Sequence, residues 1–231
     1  MILSKDCFVQ NQCKKFCSGK CDPNTNYFCI KLFKLDYLYE QSLLSNLQRK
    51  HVPLRPDEDG TDRDVFEYLS LVQKNIESFV SEGKSLYLFS QYCGNGKTAW
   101  AIRLMQSYFN SIWYKCDTEC KGLFINTPKF FLALKDNISN HNKYIEHIQA
   151  NIEKADLVIW DEIGTKAVTS FEHEHLLSLI NNRIDNQKAQ IFTSNLLQED
   201  LLQCVGERLF SRVITKSTCL QFNGKDKRGL K

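Results

Sequence analysis

The spacing of apolar and polar residues divides the chain into two regions that predict different structures. The first thirty residues have few regularly spaced apolar positions and are rich in cysteine, with Gly19, Pro23 and several asparagines, so we predict a compact, loop-rich unit there. Residues 31–50 carry apolar residues at helical spacing, which predicts an amphipathic helix with an apolar face for a partner. Residues 51–60 contain two prolines, a glycine and an acidic cluster, which predicts a linker or extended arm.

From residue 61 onward, short apolar runs alternate with segments of helical periodicity. The runs that predict strands are 84–90, 121–127, 155–160, 189–194 and 213–222. The predicted helices are 64–80, 99–109, one that opens at Pro128, 144–154, 171–185, 196–204 and 206–212. Strands that alternate with helices form a parallel sheet covered on both faces. The sequence therefore predicts an α/β domain with five parallel strands over residues 61–231, and a separate cysteine-rich domain with its linker over residues 1–60.

The composition agrees with one globular domain and a small addition. The chain has 231 residues, of which 42% are hydrophobic and 25% charged, and this balance permits a buried core without disulfide bonds. No run approaches the ~18 apolar residues of a membrane helix, and the first residues lack the apolar segment of a signal peptide, so we expect a cytoplasmic protein. The net charge of +3 does not by itself indicate nucleic-acid binding. The basic segment 224–231 is either a frayed tail or a tail that contacts phosphate.

A glycine-rich segment between the first predicted strand and the next helix has the pattern of a phosphate-binding loop. Small residues let the backbone wrap closely around phosphates, and the N-terminus of the following helix attracts anions. Lys97 would reach the β- and γ-phosphates of ATP, and the Thr98 hydroxyl would ligate Mg²⁺. Gln91 stands where the usual pattern has its first glycine, and we expect binding to survive this departure. The residues assigned to the nucleotide are Cys93, Gly94, Asn95, Gly96, Lys97, Thr98 and Ala99.

Two adjacent carboxylates follow the third predicted strand. Asp161 and Glu162 come directly after the apolar run Leu157–Trp160, and ligands bind at the carboxyl edge of a parallel sheet. Asp161 can hold Mg²⁺ through water, and Glu162 can polarise the attacking water as a general base. Together with the phosphate loop, this pair predicts ATP binding and hydrolysis.

Three further polar residues follow the fourth predicted strand. Asn195 could lie between the γ-phosphate and the attacking water, although an asparagine after a strand is usually a turn residue. Arg208 and Arg212 are four residues apart, so they lie on one face of a helix. A guanidinium suits a transition-state phosphate in the site of a neighbouring subunit. The alternative is a surface helix with ordinary salt bridges.

These segments together resemble the AAA+ ATPases, and within them the helicase loaders of the DnaC/DnaI type, especially the short loaders of phages and mobile elements of Gram-positive bacteria. The motifs are Gly94–Thr98, Asp161–Gly164, Thr193–Asn195 and Gly206–Arg212, within a resemblance that covers about residues 61–222. The resemblance implies an AAA+ core without a separate lid domain. It also implies a homo-oligomer that holds ATP between subunits, where Arg212 matches the arginine finger and Arg208 its neighbour.

The partners that the resemblance implies belong to DNA replication. Such loaders bind a hexameric replicative DNA helicase through an N-terminal domain and single-stranded DNA through the ATPase core. The segment Thr165–Phe171 matches a DNA-facing stretch, with Thr169 at its polar position and Phe171 at its aromatic one. Phe171 could stack on a base or pack in the core. Two alternatives stay open: an IstB-like transposition helper with the same core, and a nucleotide-dependent adaptor that hardly hydrolyses ATP.

The cysteines suggest a metal site near the N-terminus. Five of the ten lie within the first 29 residues, and clustered thiols in a reducing compartment indicate a metal more often than disulfide bonds. We predict tetrahedral Zn²⁺, with free thiols or an iron–sulfur cluster as alternatives. The pair Cys116 and Cys120 is predicted to lie in a surface loop. The favoured zinc ligands are Cys13, Cys17, Cys21 and Cys29, with Cys7 as the spare.

Overall fold

The structure, a computed structural model, describes residues 23–46, 48–49, 54–116 and 119–227. The favoured zinc ligands Cys13, Cys17 and Cys21 lie outside these residues, as does Cys7. Cys29 is described as a half-buried free thiol. The described part of the chain contains no group of three or more residues that could hold a metal ion, so the zinc site stays a prediction.

The described residues form eight helices around one five-stranded sheet. The helices are α1 (Pro23–Gln41), α2 (Arg63–Lys74), α3 (Ile76–Ser81), α4 (Lys97–Ile112), α5 (Thr127–Asp136), α6 (Lys143–Asn151), α7 (Ser170–Asp185) and α8 (Gln198–Ile214). The strands are β1 (Ser85–Phe89), β2 (Gly122–Asn126), β3 (Leu157–Asp161), β4 (Ala189–Ser194) and β5 (Ser217–Gln221). All pairs are parallel, in the order β2-β3-β4-β1-β5. The predicted five-stranded parallel α/β fold is confirmed.

The sheet buries both faces because helices cover it on two sides. In β1, Leu86 and Leu88 belong to a core cluster shared with α1 to α4, whereas Tyr87 and Phe89 belong to a second cluster shared with α5 to α8. This alternation is the two-residue period of a strand. Every residue of β1 is buried, which explains why its sequence is a nearly continuous apolar run.

Helix α1 packs against the sheet domain, so the expectation that its apolar face is open to a partner is wrong. Leu35 and Leu38 are buried in the same core cluster as residues of α4, and Leu44 joins them from the turn after the helix. Burial of these leucines removes apolar surface from water, which favours this packing over an exposed face. The helix also begins earlier than predicted and ends at Gln41, before Leu43 adopts a left-handed conformation with φ 65°.

Two predicted element boundaries in the sheet domain also differ from the structure. The helix predicted at 64–80 is divided at Asn75 into α2 and α3. Val213 and Ile214 end α8 and do not open the last strand. Val213 is fully buried on the helix, and an apolar β-branched residue at this boundary fits a helix or a strand equally by pattern. The break predicted between the helices 196–204 and 206–212 is present within α8, where Gly206 is non-helical with φ 76° and ψ 161°.

Cys116 and Cys120 lie in the interior, so their assignment to a surface loop is wrong. Their exposed fractions are 4% and 5%, and burial raises the pKa of the Cys120 thiol to about 11. Lys34 of α1 donates to the backbone oxygen of Cys116 at 2.9 Å. Reduced cysteines behave as small apolar side chains, and here they help to fill the region beneath α1. In addition, no helix in the described ranges has both the length and the apolar character needed to cross a bilayer.

One buried arginine fixes the edge of the sheet where the strands begin. Arg183 of α7 is 1% exposed, and its guanidinium donates to the backbone oxygens of Ile152 at 2.6 Å, Ala155 at 2.9 Å and Ala189 at 2.8 Å. Burial lowers its pKa to about 9, while the negative charge of Asp156 acts in the opposite direction. The side chain therefore stays charged at neutral pH and joins the segment before β3 to the start of β4.

Replacement of Arg183 by methionine is expected to destabilise the fold by about 3–5 kcal/mol, because buried carbonyl oxygens lose their donors. Urea unfolding followed by circular dichroism measures this loss. The matched control is Arg208→Ala, which removes an exposed guanidinium and should change the free energy of unfolding by about 0.5 kcal/mol or less. Equal stability of the Arg183→Met variant and the wild type would contradict the structural role.

Candidate nucleotide-binding site

The phosphate loop lies at the carboxyl edge of the central strand. Strand β1 lies between β4 and β5, and residues 90–96 connect it to α4. Gly94 and Gly96 have φ of 75° and 106°, in the region that favours glycine, and Gly96 is the N-cap of α4. Gln91 is not among the described non-glycine residues with positive φ, so the absence of the usual first glycine strains no backbone. The strand–loop–helix geometry expected for phosphate binding is present.

The loop holds a buried ammonium group at the start of the helix. Lys97 is 5% exposed, and its Nζ donates to the backbone oxygen of Tyr92 at 2.7 Å and to Asn95 Oδ1 at 2.9 Å. Asn95 is fully buried, and its Nδ2 donates to Ser90 Oγ at 2.8 Å. A cation at the positive end of a helix attracts anions. The asparagine side chain thus connects the end of β1 to the lysine that the sequence assigned to phosphate.

Asp161, the last residue of β3, accepts hydrogen bonds from two hydroxyl groups. The donors are Thr98 Oγ1 at 2.8 Å and Thr193 Oγ1 at 2.7 Å. Burial raises the pKa of this carboxyl and the neighbouring Glu162 raises it further, while the two hydroxyl groups lower it. A nearby cation would favour the charged carboxylate. Thr98 and Asp161, both assigned to Mg²⁺ from the sequence, are thus in direct contact, and the metal assignment stays a prediction.

The same pair of residues fits a magnesium ion. Mg²⁺ prefers hard oxygen ligands from carboxylates, hydroxyls, phosphates and water. Thr98 and Asp161 present one hydroxyl and one carboxylate oxygen next to each other, directly beside the phosphate loop. These residues could hold the metal of MgATP together with the phosphate oxygens.

Glu162 is held in position by residues of both neighbouring strands. Its backbone φ is 60°, a conformation that costs a non-glycine residue about 1–3 kcal/mol. Thr193 of β4 accepts from its backbone N–H at 3.0 Å, and Asn126 Nδ2 at the end of β2 donates to Glu162 Oε2 at 3.0 Å. Neither Asn126 nor the Thr193 side chain was predicted from the sequence to belong to the site. The available signal was a polar residue at the end of each apolar strand, at the edge where ligands bind.

Asn195 follows β4 at the same edge of the sheet. Its side chain is exposed, whereas the preceding Ser194 is buried and accepts, through its backbone oxygen, from the N–H of Ser90 at 3.2 Å. This bond places the end of β4 beside the start of the phosphate loop. The predicted role of Asn195 between the γ-phosphate and water stays a prediction.

Arg208 and Arg212 lie in the second half of α8, away from the phosphate loop of their own chain. Helix α8 begins near the carboxyl edge of β4 and ends at Ile214, just before β5 starts at the opposite edge. Five strand residues span about 17 Å, which is longer than an arginine side chain. Both guanidinium groups are exposed, and neither has a hydrogen-bond or ion-pair partner among the residues that the structure describes. An interaction with a neighbouring subunit is therefore open to them.

The segment expected to face DNA contains one residue with a structural role and one exposed aromatic ring. Thr169 is the N-cap of α7, where its hydroxyl accepts from the N–H of Glu172 at 3.3 Å and the Glu172 carboxylate accepts from the Thr169 N–H at 2.9 Å. This reciprocal capping box stabilises the helix start. Phe171 is 40% exposed and packs edge-on against His175, so it does not pack in the core.

Comparison with known proteins identifies one matching family and several relatives. The profile of the family described as IstB-like ATP binding protein matches residues 69–228, well over half of the chain. The replicative helicase loader DnaC of Escherichia coli K12 is 22% identical over 147 residues, which cover 64% of this chain and 54% of that protein. The chain thus spans about half the length of the curated relatives that it matches.

Solved structures show the same fold at low sequence identity. A crystal structure of the DnaC helicase loader has a TM-score of 0.60 at 17% identity and covers 78% of this chain and 100% of that one. A putative primosome component from Streptococcus pyogenes serotype M3 has a TM-score of 0.59 at 22% identity and covers 83% of this chain and 98% of that one. Likeness at these identities shows a shared α/β fold with a phosphate loop.

Proposed function

The chain belongs to the family of IstB-like ATP binding proteins, and from this premise we propose that it is an ATPase that loads a replicative DNA helicase onto DNA. The observation that carries the proposal is the contact between Thr98 Oγ1 and Asp161 Oδ1 at 2.8 Å, directly before Glu162. It places the phosphate loop beside the residues that we assign to Mg²⁺ and next to the residue that we assign as the general base. Likeness to DnaC, which is named a replicative helicase loader, supports the cellular role.

Hydrolysis would require residues on or next to three strands and one helix. The N–H groups of the phosphate loop and Lys97 bind the phosphates of ATP. Glu162 takes a proton from the attacking water. The oxygen of that water forms a bond to the γ-phosphorus of ATP, and the bond between the γ-phosphorus and ADP breaks. Mg²⁺ supplies charge neutralisation for the β- and γ-phosphate oxygens. Asn126 and Thr193 hold the side chain and the backbone of the general base.

A complete site would need a second copy of the chain. Arg212 lies near the edge of the sheet opposite to the phosphate loop of its own chain. A guanidinium that stabilises the charge on the transferring phosphoryl group must reach it directly. We therefore propose a homo-oligomer in which Arg212, with Arg208 beside it, completes the ATP site of the neighbouring subunit.

Helicase and DNA would bind at different parts of the chain. Helix α1 is engaged with the sheet domain, which leaves the cysteine-rich residues before it as the proposed helicase-docking unit, folded around Zn²⁺. Single-stranded DNA would contact the ATPase core, where the exposed ring of Phe171 is available for stacking on a base. Origin in a phage or mobile element stays a prediction.

The name of the matching family favours a second candidate function. An IstB-like transposition helper would have the same nucleotide site, so the geometry described above does not distinguish the two roles. The cysteine-rich N-terminus and the likeness to DnaC favour the loader. The third alternative, an adaptor with little hydrolysis, depended on Gln91, which introduces no positive φ.

Capture of a purified hexameric replicative helicase tests the loader role. We expect the full chain to retain the helicase on beads, and the triple variant Cys13→Ser/Cys17→Ser/Cys21→Ser to retain about ten-fold less, since loss of metal ligands unfolds a small metal-dependent unit. The matched control is Cys204→Ser/Cys219→Ser, which changes thiols outside that unit and outside the phosphate loop. Deletion of residues 1–60 is unsuitable because Leu35 and other core residues would be lost.

The pull-down has two outcomes that contradict parts of the proposal. If the intact protein captures no helicase, the loader role is wrong and the transposition-helper role becomes the better one. If the triple variant captures helicase as well as the wild type, the cysteine-rich unit is not the docking site. Zinc measured by atomic absorption in both proteins tests the metal assignment independently.

A further inference from the structure

We propose that the C-terminal strap, residues Asn223–Lys227, and the acidic arm, residues Leu54–Asp62, together hold the phosphate loop in its nucleotide-binding conformation. The affinity for ATP would then depend on contacts made outside the loop. This inference rests on the proposed function, because it concerns the same ATP site. It gives the strap a positioning role and no contact with the reacting atoms.

The strap lies beside the segment that leaves β1. It contacts the middle of the phosphate loop. The backbone N–H of Lys227 donates to the carbonyl oxygen of Gly94 at 2.9 Å. Nearer the sheet, the N–H of Phe222 donates to the oxygen of Phe89 at 2.8 Å, and Asn95 Nδ2 donates to the oxygen of Phe222 at 3.4 Å. Two of these hydrogen bonds connect the segment after β5 to the phosphate loop, at Gly94 and Asn95, and the third connects it to Phe89 at the end of β1.

The acidic arm holds the strap through two carboxylates. Asp62 accepts from the N–H of Asn223 at 2.7 Å and from the N–H of Gly224 at 2.8 Å. Asp57 accepts from the N–H of Lys225 at 2.9 Å and pairs with Lys227 Nζ at 3.3 Å. Hydrogen bonds to an ionised carboxylate are stronger than neutral ones. The Asp57 and Lys227 side chains are only 16% and 15% exposed, so water and salt screen this pair less than a surface pair.

The junction is closely fitted around one glycine. A Cβ atom on Gly224 would lie 2.7 Å from Asp62 Oδ2 and 3.0 Å from Asp57 Oδ2, so a side chain there would displace both carboxylates. Asp62 also has a φ of 65°, and its side chain makes no capping bond to α2. Its carboxylate is thus directed to the strap, although the residue stands at the N-cap position where it would ordinarily stabilise the helix.

The arm and the strap also contact the surroundings of the loop directly. Leu54 lies beside Gly96, where a Cβ would be 3.4 Å from Leu54 Cδ2. Lys227 Nζ donates to the backbone oxygen of Arg55 at 2.6 Å and lies 4.6 Å from the centre of the Phe66 ring. A loop with two left-handed glycines has many accessible conformations when it is not supported. Support from outside reduces this freedom before the nucleotide binds, and preorganisation of this kind strengthens binding.

Steady-state ATPase kinetics with the full chain, together with binding of a fluorescent ATP analogue in the presence of Mg²⁺, tests the strap. In the variant Asp57→Asn/Asp62→Asn, each asparagine has the shape and the backbone preference of the aspartate that it replaces. One oxygen of each carboxylate, which accepts hydrogen bonds, becomes an NH₂ group, which donates them. We expect KM for ATP to rise about ten-fold with kcat changed by about two-fold or less, because binding is lost without loss of transition-state contacts. Gly224→Ala should give the same split by displacing both carboxylates.

The matched control removes two other negative charges. Glu58→Gln/Asp64→Asn changes one exposed carboxylate of the arm and one in the first turn of α2, and we expect KM to stay within about two-fold of the wild-type value. An equal rise of KM in this control, or a fall of kcat with KM unchanged in the strap variants, would overturn the inference. If the wild type binds MgATP and both strap variants bind it equally well, only the strap is refuted. If the wild type binds no MgATP, the proposed function fails and the strap inference fails with it.

Discussion

Replacement of Glu162 by glutamine is expected to lower the rate of ATP hydrolysis by about 10²–10⁴-fold, the usual contribution of a general base. Affinity for MgATP should change little, because Glu162 lies outside the phosphate loop and the amide has the same shape as the carboxyl group. The hydrogen bond from Asn126 Nδ2 to the side-chain oxygen at position 162 can persist. The variant therefore loses the proton acceptor, while the side chain at position 162 stays in place. The variant should therefore bind nucleotide and fail to turn it over.

Single-turnover hydrolysis of radiolabelled ATP, with binding of a fluorescent analogue in parallel, measures both quantities. Glu174→Gln is the matched control, since Glu174 is an exposed glutamate on α7, and its variant should hydrolyse ATP at the wild-type rate. Equally slow hydrolysis by the wild type and by Glu162→Gln would contradict the assignment of Glu162 as the base. That result would favour the adaptor that binds nucleotide with little hydrolysis.

Replacement of Arg212 by alanine is expected to lower hydrolysis by about 10³–10⁵-fold, the range associated with an arginine that stabilises a transferring phosphoryl group. The exposed guanidinium has no partner among the described residues, so its removal should leave the free energy of unfolding nearly unchanged. ATP affinity should also persist, because the residues of the phosphate loop are intact. The expected phenotype is a folded protein that binds ATP and does not hydrolyse it.

The Arg212→Ala variant is compared with Lys216→Ala. The comparison covers the rate constant for hydrolysis and the binding constant for MgATP. Lys216 is an exposed cation just after the same helix, so its variant controls for a general loss of positive charge on this surface. Wild-type hydrolysis by Arg212→Ala would refute the trans-acting role. A large loss in the Lys216 variant would show that surface charge matters and not the arginine itself.

The sequence predicted the parts of the fold and site that are encoded locally. Strands buried on both faces, such as β1 and β3, are short apolar runs, and these are recognisable without knowledge of their neighbours. The phosphate-loop motif is recognisable in the same way, because Gly94, Gly96 and Lys97 stand within four consecutive positions where a helix follows a strand. The contact of Thr98 with Asp161 also agrees with the sequence, since the phosphate loop follows β1, Asp161 ends β3, and the carboxyl ends of parallel strands share one edge.

The features that escaped prediction depend on contacts between distant segments. Asp62 and Asn223 are 161 positions apart, and nothing in either segment indicates that they join. The burial of Cys116 beneath α1 likewise required the position of that helix. Asn126 gains its role only because β2 pairs with β3, which places its amide beside Glu162. A pattern of hydrophobic and polar residues specifies which face of a helix or strand is buried, but it does not specify the segment against which that face packs.

We propose that ATP is hydrolysed at a site to which one subunit contributes Glu162 and its neighbour contributes Arg212. Mixing the two inactive variants, Glu162→Gln and Arg212→Ala, tests it most directly. In an oligomer of randomly exchanged subunits, about a quarter of the interfaces would pair an intact Glu162 with an intact Arg212. We predict that the mixture recovers about that fraction of wild-type hydrolysis, and a mixture as inactive as either variant alone would contradict the shared site.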